Sequence, residues 1–120
     1  MKYYVYGEIS LKHGEWVQEY LRDINSFIEK HGGRVLSRSM KMEKIEGERD
    51  LPTNVILIEF SNRQTAVDFF DDPDYQPLRR MRIEGSVSEF VMFPAEDLAI
   101  HAAGPPSAEG RDSTSVTRAS

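Results

Sequence analysis

Cysteine is absent from this 120-residue chain. Disulfides, thiol nucleophiles and thiolate metal sites are excluded together, and the core must hold by packing alone. Long apolar runs are missing too. None approaches the roughly 20 residues that cross a bilayer, so no membrane partner is expected. The segment Met1–Glu8 has neither a long apolar stretch nor a cleavage-site pattern, which argues against a signal peptide and for a cytoplasmic location. Positive charge is scarce: the formal net charge is −5, whereas a nucleic-acid binder carries a basic excess that displaces counterions from phosphates. Phosphate-cradling glycine loops, Gly-x-Ser-x-Gly elbows and metal-ligand spacings do not occur, so neither a metal nor a cofactor is expected. What is present is ordinary for a globular chain, 39% hydrophobic and 29% charged residues, in a length that suits one domain.

Periodicity divides the chain into six elements. Tyr3–Ile9 is rich in aromatic and β-branched residues and alternates as a strand does, with Tyr3, Val5, Gly7 and Ile9 on one face and Tyr4, Tyr6 and Glu8 on the other. From about His13 to His31 the spacing of Trp16, Tyr20, Ile24, Phe27 and Ile28 is helical, and Gly32-Gly33 stops the helix. Arg34 to about Glu46 reads as extended, and Gly47–Pro52 as a turn. Val55–Phe60 is apolar on both faces except for Glu59, as a central strand would be. Ser61-Asn62-Arg63-Gln64 has capping-box spacing, with Ser61 as the N-cap of a second helix that buries Ala66, Val67, Phe69 and Phe70. Asp72-Pro73-Asp74-Tyr75 restarts that helix, with Asp72 as its cap. Ser86–Phe93 is the last strand. Residues 1–95 are expected to form the folded domain. Residues 96–120, poor in large apolar side chains, are expected to be a largely disordered tail.

The order strand, helix, strand, strand, helix, strand predicts an α+β, ferredoxin-like βαββαβ fold. Its four-stranded antiparallel sheet would have strands one and three at the centre and both helices on one face. RNA-recognition motifs share this order, but they require a glycine and stacking aromatics on strand three, which Thr53–Ile58 lacks. Two helices cover one sheet face only, so the other should be polar if it meets water. Here that face would carry Tyr4, Tyr6, Val55 and Leu57, with Val91 and Phe93 beside them. A second copy packing sheet to sheet would bury this patch, which predicts a homodimer.

Gly32-Gly33-Arg34-Val35-Leu36, Val55–Ser61 and Asp72-Pro73-Asp74-Tyr75-Gln76, in this order and spacing, resemble the family called domain of unknown function 1330 over roughly residues 1–95. The chain departs from that family's pattern where Ser39-Met40 follows Arg38 in place of a Gly-Gly turn, and where Phe69-Phe70 stands for a Trp-Tyr pair. The resemblance implies a dimeric α/β barrel. It belongs to a superfamily that also holds small cofactor-independent monooxygenases, dehalogenating and isomerising enzymes, and it implies no settled reaction.

Candidate chemistry centres on charges among apolar neighbours. Glu8, Glu59 and Glu89 stand once on each of three strands, on the face assigned to the dimer. Either Glu8 or Glu59, held in a semi-buried cavity, would have a raised pKa and act as general base. Arg34 and Arg38 share a face and would reach toward Glu59 to hold an anionic oxygen. The competing structural reading makes these residues an interfacial ion network, because each buried charge needs a partner. Tyr6 and Tyr75 are further candidate ligand contacts, although tyrosine is as often a packing residue. Arg79-Arg80-Met81-Arg82 reads as a solvated helix end, and His31 as a helix C-terminal residue favoured by the dipole. Three functions stay open: binding of a small metabolite, a cofactor-independent isomerase, cyclase or monooxygenase, and a structural dimer without ligand.

Overall fold

Alternating aromatic and β-branched residues build β1 (Tyr3–Leu11), and the computed structural model, which describes residues 1–99, continues with α1 (Val17–Lys30), β2 (Arg34–Ser39), β3 (Asn54–Phe60), α2 (Arg63–Asp71), α3 (Gln76–Gly85) and β4 (Ser86–Pro94). The sheet is antiparallel throughout, in the order β2-β3-β1-β4. β1 and β3 are central, as the connectivity predicts. Most of the tail expected beyond residue 95 lies outside the described residues. No helix among those described is long and apolar enough to cross a membrane.

The core lies between one sheet face and the helices. Val5, Ile56, Ile58 and Phe60 meet Trp16, Tyr20, Ile24 and Ile28 from the α1 side, and Ala66, Phe69, Tyr75 and Leu78 from the second helical segment. Phe69 is its aromatic hub, stacked on Tyr75 with ring centroids 4.6 Å apart and tilted against Phe60 at 5.7 Å. Gly7 pairs with Phe90 across β1 and β4, and a Cβ there would overlap the Phe90 ring, so the glycine lets the ring lie flat against the backbone.

Local chemistry shifts several boundaries. α1 begins at Val17, not near His13, because residues 14–17 form a turn in which the Trp16 indole N–H donates to the Gly85 carbonyl at 3.1 Å. The helix stops as expected: Gly32 has φ 77° and the Gly33 N–H reaches back to the Ile28 carbonyl at 2.9 Å. β2 ends at Ser39 instead of running on to Glu46, since the Ser39 hydroxyl accepts the Lys41 N–H at 2.9 Å and turns the chain. Asn62, not Ser61, caps α2, its Oδ1 accepting the Thr65 N–H at 2.9 Å, while Gln64 bonds forward to Asp68. Asp72 caps the turn after α2, accepting the Asp74 N–H at 2.9 Å, and regular α3 starts only at Gln76.

Asp72 does more than cap. Its nearly buried carboxylate also takes Lys30 Nζ and His31 Nε2, each at 2.8 Å, pinning the end of α1 to the corner between α2 and α3. Hydrogen bonds from Lys30, then His31, then the Asp74 backbone hold its carboxyl far below the ordinary 3.8. A depressed carboxylate adds stability above its unfolded-state pKa and loses it as pH falls toward the folded value. Asp72→Asn is therefore expected to melt lower than wild type at pH 7, with the gap closing below about pH 4. Thermal melts across that range check it. A constant gap down to pH 2 would remove Asp72 from the acid transition.

Candidate functional site

Of the charged residues singled out from sequence, Glu8, Glu59 and Arg34 stand on the open sheet face, in two separate groups. Tyr6 donates to Glu8 Oε2 at 2.9 Å, and the guanidinium of Arg49 clamps the same carboxylate through both oxygens, one contact at 2.8 Å. Arg49 comes from the irregular segment between β2 and β3, whose end is fixed to β1 where the Leu11 N–H meets Thr53 Oγ1 at 3.0 Å. Four residues along β1, about 13 Å away, Glu59 meets Lys2 Nζ at 3.4 Å and Arg34 Nη2 at 3.3 Å.

Neither carboxylate has the raised pKa expected of a general base. The Arg49 hydrogen bond outweighs burial at Glu8 and holds it below the ordinary value. Burial pushes Glu59 up, but hydrogen bonds from Arg34 and Lys2 together overcome it and leave that carboxyl low as well. The Tyr6 hydroxyl is raised by burial and by its bond to Glu8. Ion pairs of this kind are poor proton acceptors and good structural ties.

Arg38 is not with them. A bulge between Val35 and Ser37 shifts the register, so Arg34 faces Glu59 whereas Arg38 faces Ile56. The extra residue turns Arg38 to the helix side of the sheet. There its Nη2 donates to Asn25 Oδ1 of α1 at 2.8 Å, and burial lowers its pKa. Sequence alternation alone put both arginines on one face, and the bulge is why that fails.

On this helix side lies a cavity of about 80 Å³ between α1 and the sheet. Ile9, Leu11 and Ile56 form its floor, and Trp16, Tyr20 and Ile24 its roof. Arg38, Asn54, Tyr75 and Phe90 complete the wall. Of the residues proposed from sequence, Arg38 and Tyr75 belong to this lining, and Tyr6, Glu8, Arg34 and Glu59 do not. Asn54 Oδ1 is buried without a hydrogen-bond partner among the described residues. Burial raises the pKa of the Tyr20 hydroxyl, which stands beside Tyr75 and Arg82. Asn54 and Tyr20 were not singled out as functional. Their signal was present, since an asparagine opening an apolar strand and a tyrosine in a helix's apolar stripe are polar groups at core positions.

No curated protein matches this chain in sequence. Among solved structures, a protein of unknown function from Rhodopseudomonas palustris is 18% identical, with 80% of this chain and 84% of that one covered and a TM-score of 0.65. SnoaB, a cofactor-independent oxygenase from Streptomyces nogalater, is 11% identical over 80% of this chain and 94% of its own, at TM-score 0.60. A dimeric ferredoxin-like protein of unknown function from Jannaschia is 10% identical over 78% and 99%, at TM-score 0.58. These similarities establish the ferredoxin-like fold. The family model of the domain of unknown function DUF1330 covers residues 2–95, nearly all of the described structure, and the chain belongs to that family.

Proposed function

We propose that this protein is a homodimer that binds a small, largely apolar metabolite in the cavity between α1 and the sheet, with Arg38 and Tyr75 among its contacts. The observation that carries the reading is the cavity itself: apolar walls with a few converging polar groups, one of them the unpartnered Asn54 acceptor. Binding sites have this composition, and a buried acceptor left without a partner costs stability unless something supplies a donor. Tyr6, Glu8, Arg34 and Glu59 belong instead to the face between subunits, where paired ions fix how two copies meet. A cytoplasmic location goes with this reading, and cell fractionation checks it.

A cofactor-independent reaction in the same cavity is the second reading, favoured by the fold shared with an oxygenase. Its proposed carboxylate bases stand on the opposite face of the sheet, so binding ranks first. Trp16 lines the cavity and is the chain's one tryptophan, which makes its fluorescence a direct reporter. A small-metabolite screen is expected to yield ligands that change Trp16 emission and raise the melting temperature. The stabilisation reaches about 2.7 kcal/mol at a hundredfold excess over Kd. Val17→Phe, which fills the rim, is expected to abolish both signals while the protein stays folded. Ligands that stabilise Val17→Phe as well as wild type would exclude the cavity.

A further inference from the structure

Arg82, expected at a solvated helix end, is 3% exposed. It follows Leu78 by four residues and so falls on the buried stripe of α3. Its Nη1 donates to Ser88 Oγ at 2.7 Å, its guanidinium carbon lies 4.3 Å from the centre of the Phe90 ring, and its Nε has no partner among the described residues. Among the described residues no carboxylate lies within ion-pair distance of it. The Phe90 face recovers part of the desolvation cost of the cation. It provides no acceptor for the remaining N–H groups, and a buried arginine without a counter-charge is unusual in a settled core.

The surroundings of Arg82 connect it to the cavity. Phe90, Tyr20 and Tyr75 all line that space. The Tyr20 and Tyr75 hydroxyls stand near each other and near the Arg82 guanidinium. Burial keeps the Tyr20 hydroxyl protonated, hence a donor. The paired phenols, which keep one proton free, backed by a cation without a carboxylate partner among the described residues, form a receptor for an anionic oxygen. Arg38 at the rim differs: it already has Asn25 and reaches water, so its charge needs no ligand.

We propose that the cavity selects small apolar monocarboxylates and binds them with the carboxylate inward, received by the Tyr20 and Tyr75 hydroxyls with Arg82 as the counter-charge. The ligand's hydrocarbon then lies between the α1 residues Trp16 and Ile24 and the sheet residue Ile56. This inference rests on the cavity reading above and adds the ligand's class and direction.

Hexanoate and hexanamide, alike in shape and different in charge, are titrated against Trp16 fluorescence in the full chain. Hexanoate is expected to bind at least about 10-fold tighter, as a charge-assisted contact gives. Arg82→Met is expected to erase that difference, whereas Arg38→Met, at a wall residue, is expected to weaken both ligands and keep hexanoate the tighter one. If Arg82→Met does not fold, Tyr20→Phe and Tyr75→Phe decide, since each keeps shape and removes one donor. Each is expected to weaken hexanoate and leave hexanamide unchanged. Equal binding of the two ligands, or loss of the preference in Arg38→Met alone, overturns the inward carboxylate and leaves the cavity reading standing. Failure of both ligands to bind overturns the two together.

Discussion

Val91→Asp on β4 is expected to convert the protein from dimer to monomer while leaving its fold intact. Val91 and Phe93 are among the most exposed large apolar side chains of the sheet, at 58% and 42%. They lie opposite Tyr6 and Tyr4 on β1, where the Tyr4 and Phe93 rings meet at 5.7 Å. Leu57 continues the patch on β3, opposite Tyr6. In one chain Val91 is solvent-facing, so a carboxylate there costs the monomer little. A two-fold interface duplicates each substitution and brings two new charges into one desolvated patch. Leaving buried charges unpaired costs about 3–5 kcal/mol, which weakens association on the order of 100-fold or more. Sedimentation with circular dichroism measures both halves of the expectation. A variant that stays dimeric at low concentration would place the interface elsewhere, and an unfolded one would make β4 part of the monomer's core.

The second large effect lies on the other side of the sheet. Phe69→Ala should cost about 3–5 kcal/mol, the range for emptying an aromatic site in a packed core. Domains of this size are stable by only about 5–15 kcal/mol, so the variant approaches the folding threshold. Phe69 is 2% exposed and supports Tyr75 from one side and Phe60 from the other. It also forms part of the cavity wall, so its loss enlarges a pocket already present. An apolar void of that kind stays dry and accepts small hydrocarbons. Benzene should therefore restore part of the lost stability in Phe69→Ala and do much less for wild type. Denaturant unfolding gives the cost from the midpoint at unchanged slope. A loss under about 1 kcal/mol would mean that the neighbouring rings collapse into the space.

The pattern of apolar residues carried the fold. Alternation in Tyr3–Ile9 and the run Val55–Phe60 marked the strands, the right-handed crossover rule then put β1 and β3 at the centre, and the stripe Tyr20, Ile24, Ile28 set the face of α1. Boundaries were less legible because short polar contacts decide them. Asn62 and Ser61 are both good caps, and only the observed backbone shows which one starts α2. The candidate residues were legible as polar groups amid apolar ones, but not which face of the sheet each would take: Arg38 and Tyr75 line the cavity, and Tyr6, Glu8, Arg34 and Glu59 do not. Glu8 and Glu59 draw the eye as acids amid apolar residues, yet their partners Arg49 and Lys2 lie 41 and 57 positions away in sequence, and the low pKa that pairing gives both could not be read from neighbours along the chain. Arg82 was hidden in a basic cluster whose other members suggested solvent. Its distance of four from Leu78 was the clue that distinguished it.

The bulge in β2 has a consequence for how such a domain can diversify. Because one extra residue rotates everything after it by half a turn of the pleat, Arg38 owes its place at the cavity mouth to the length of the strand as much as to being arginine. Pairing Leu36 in register opposite Leu57 would remove the bulge, set Arg38 opposite Val55 and carry the same guanidinium to the open sheet face. In this architecture the allocation of charge between the cavity and the open sheet face is thus set by register along an edge strand, a route of variation that substitution at Arg38 alone cannot follow.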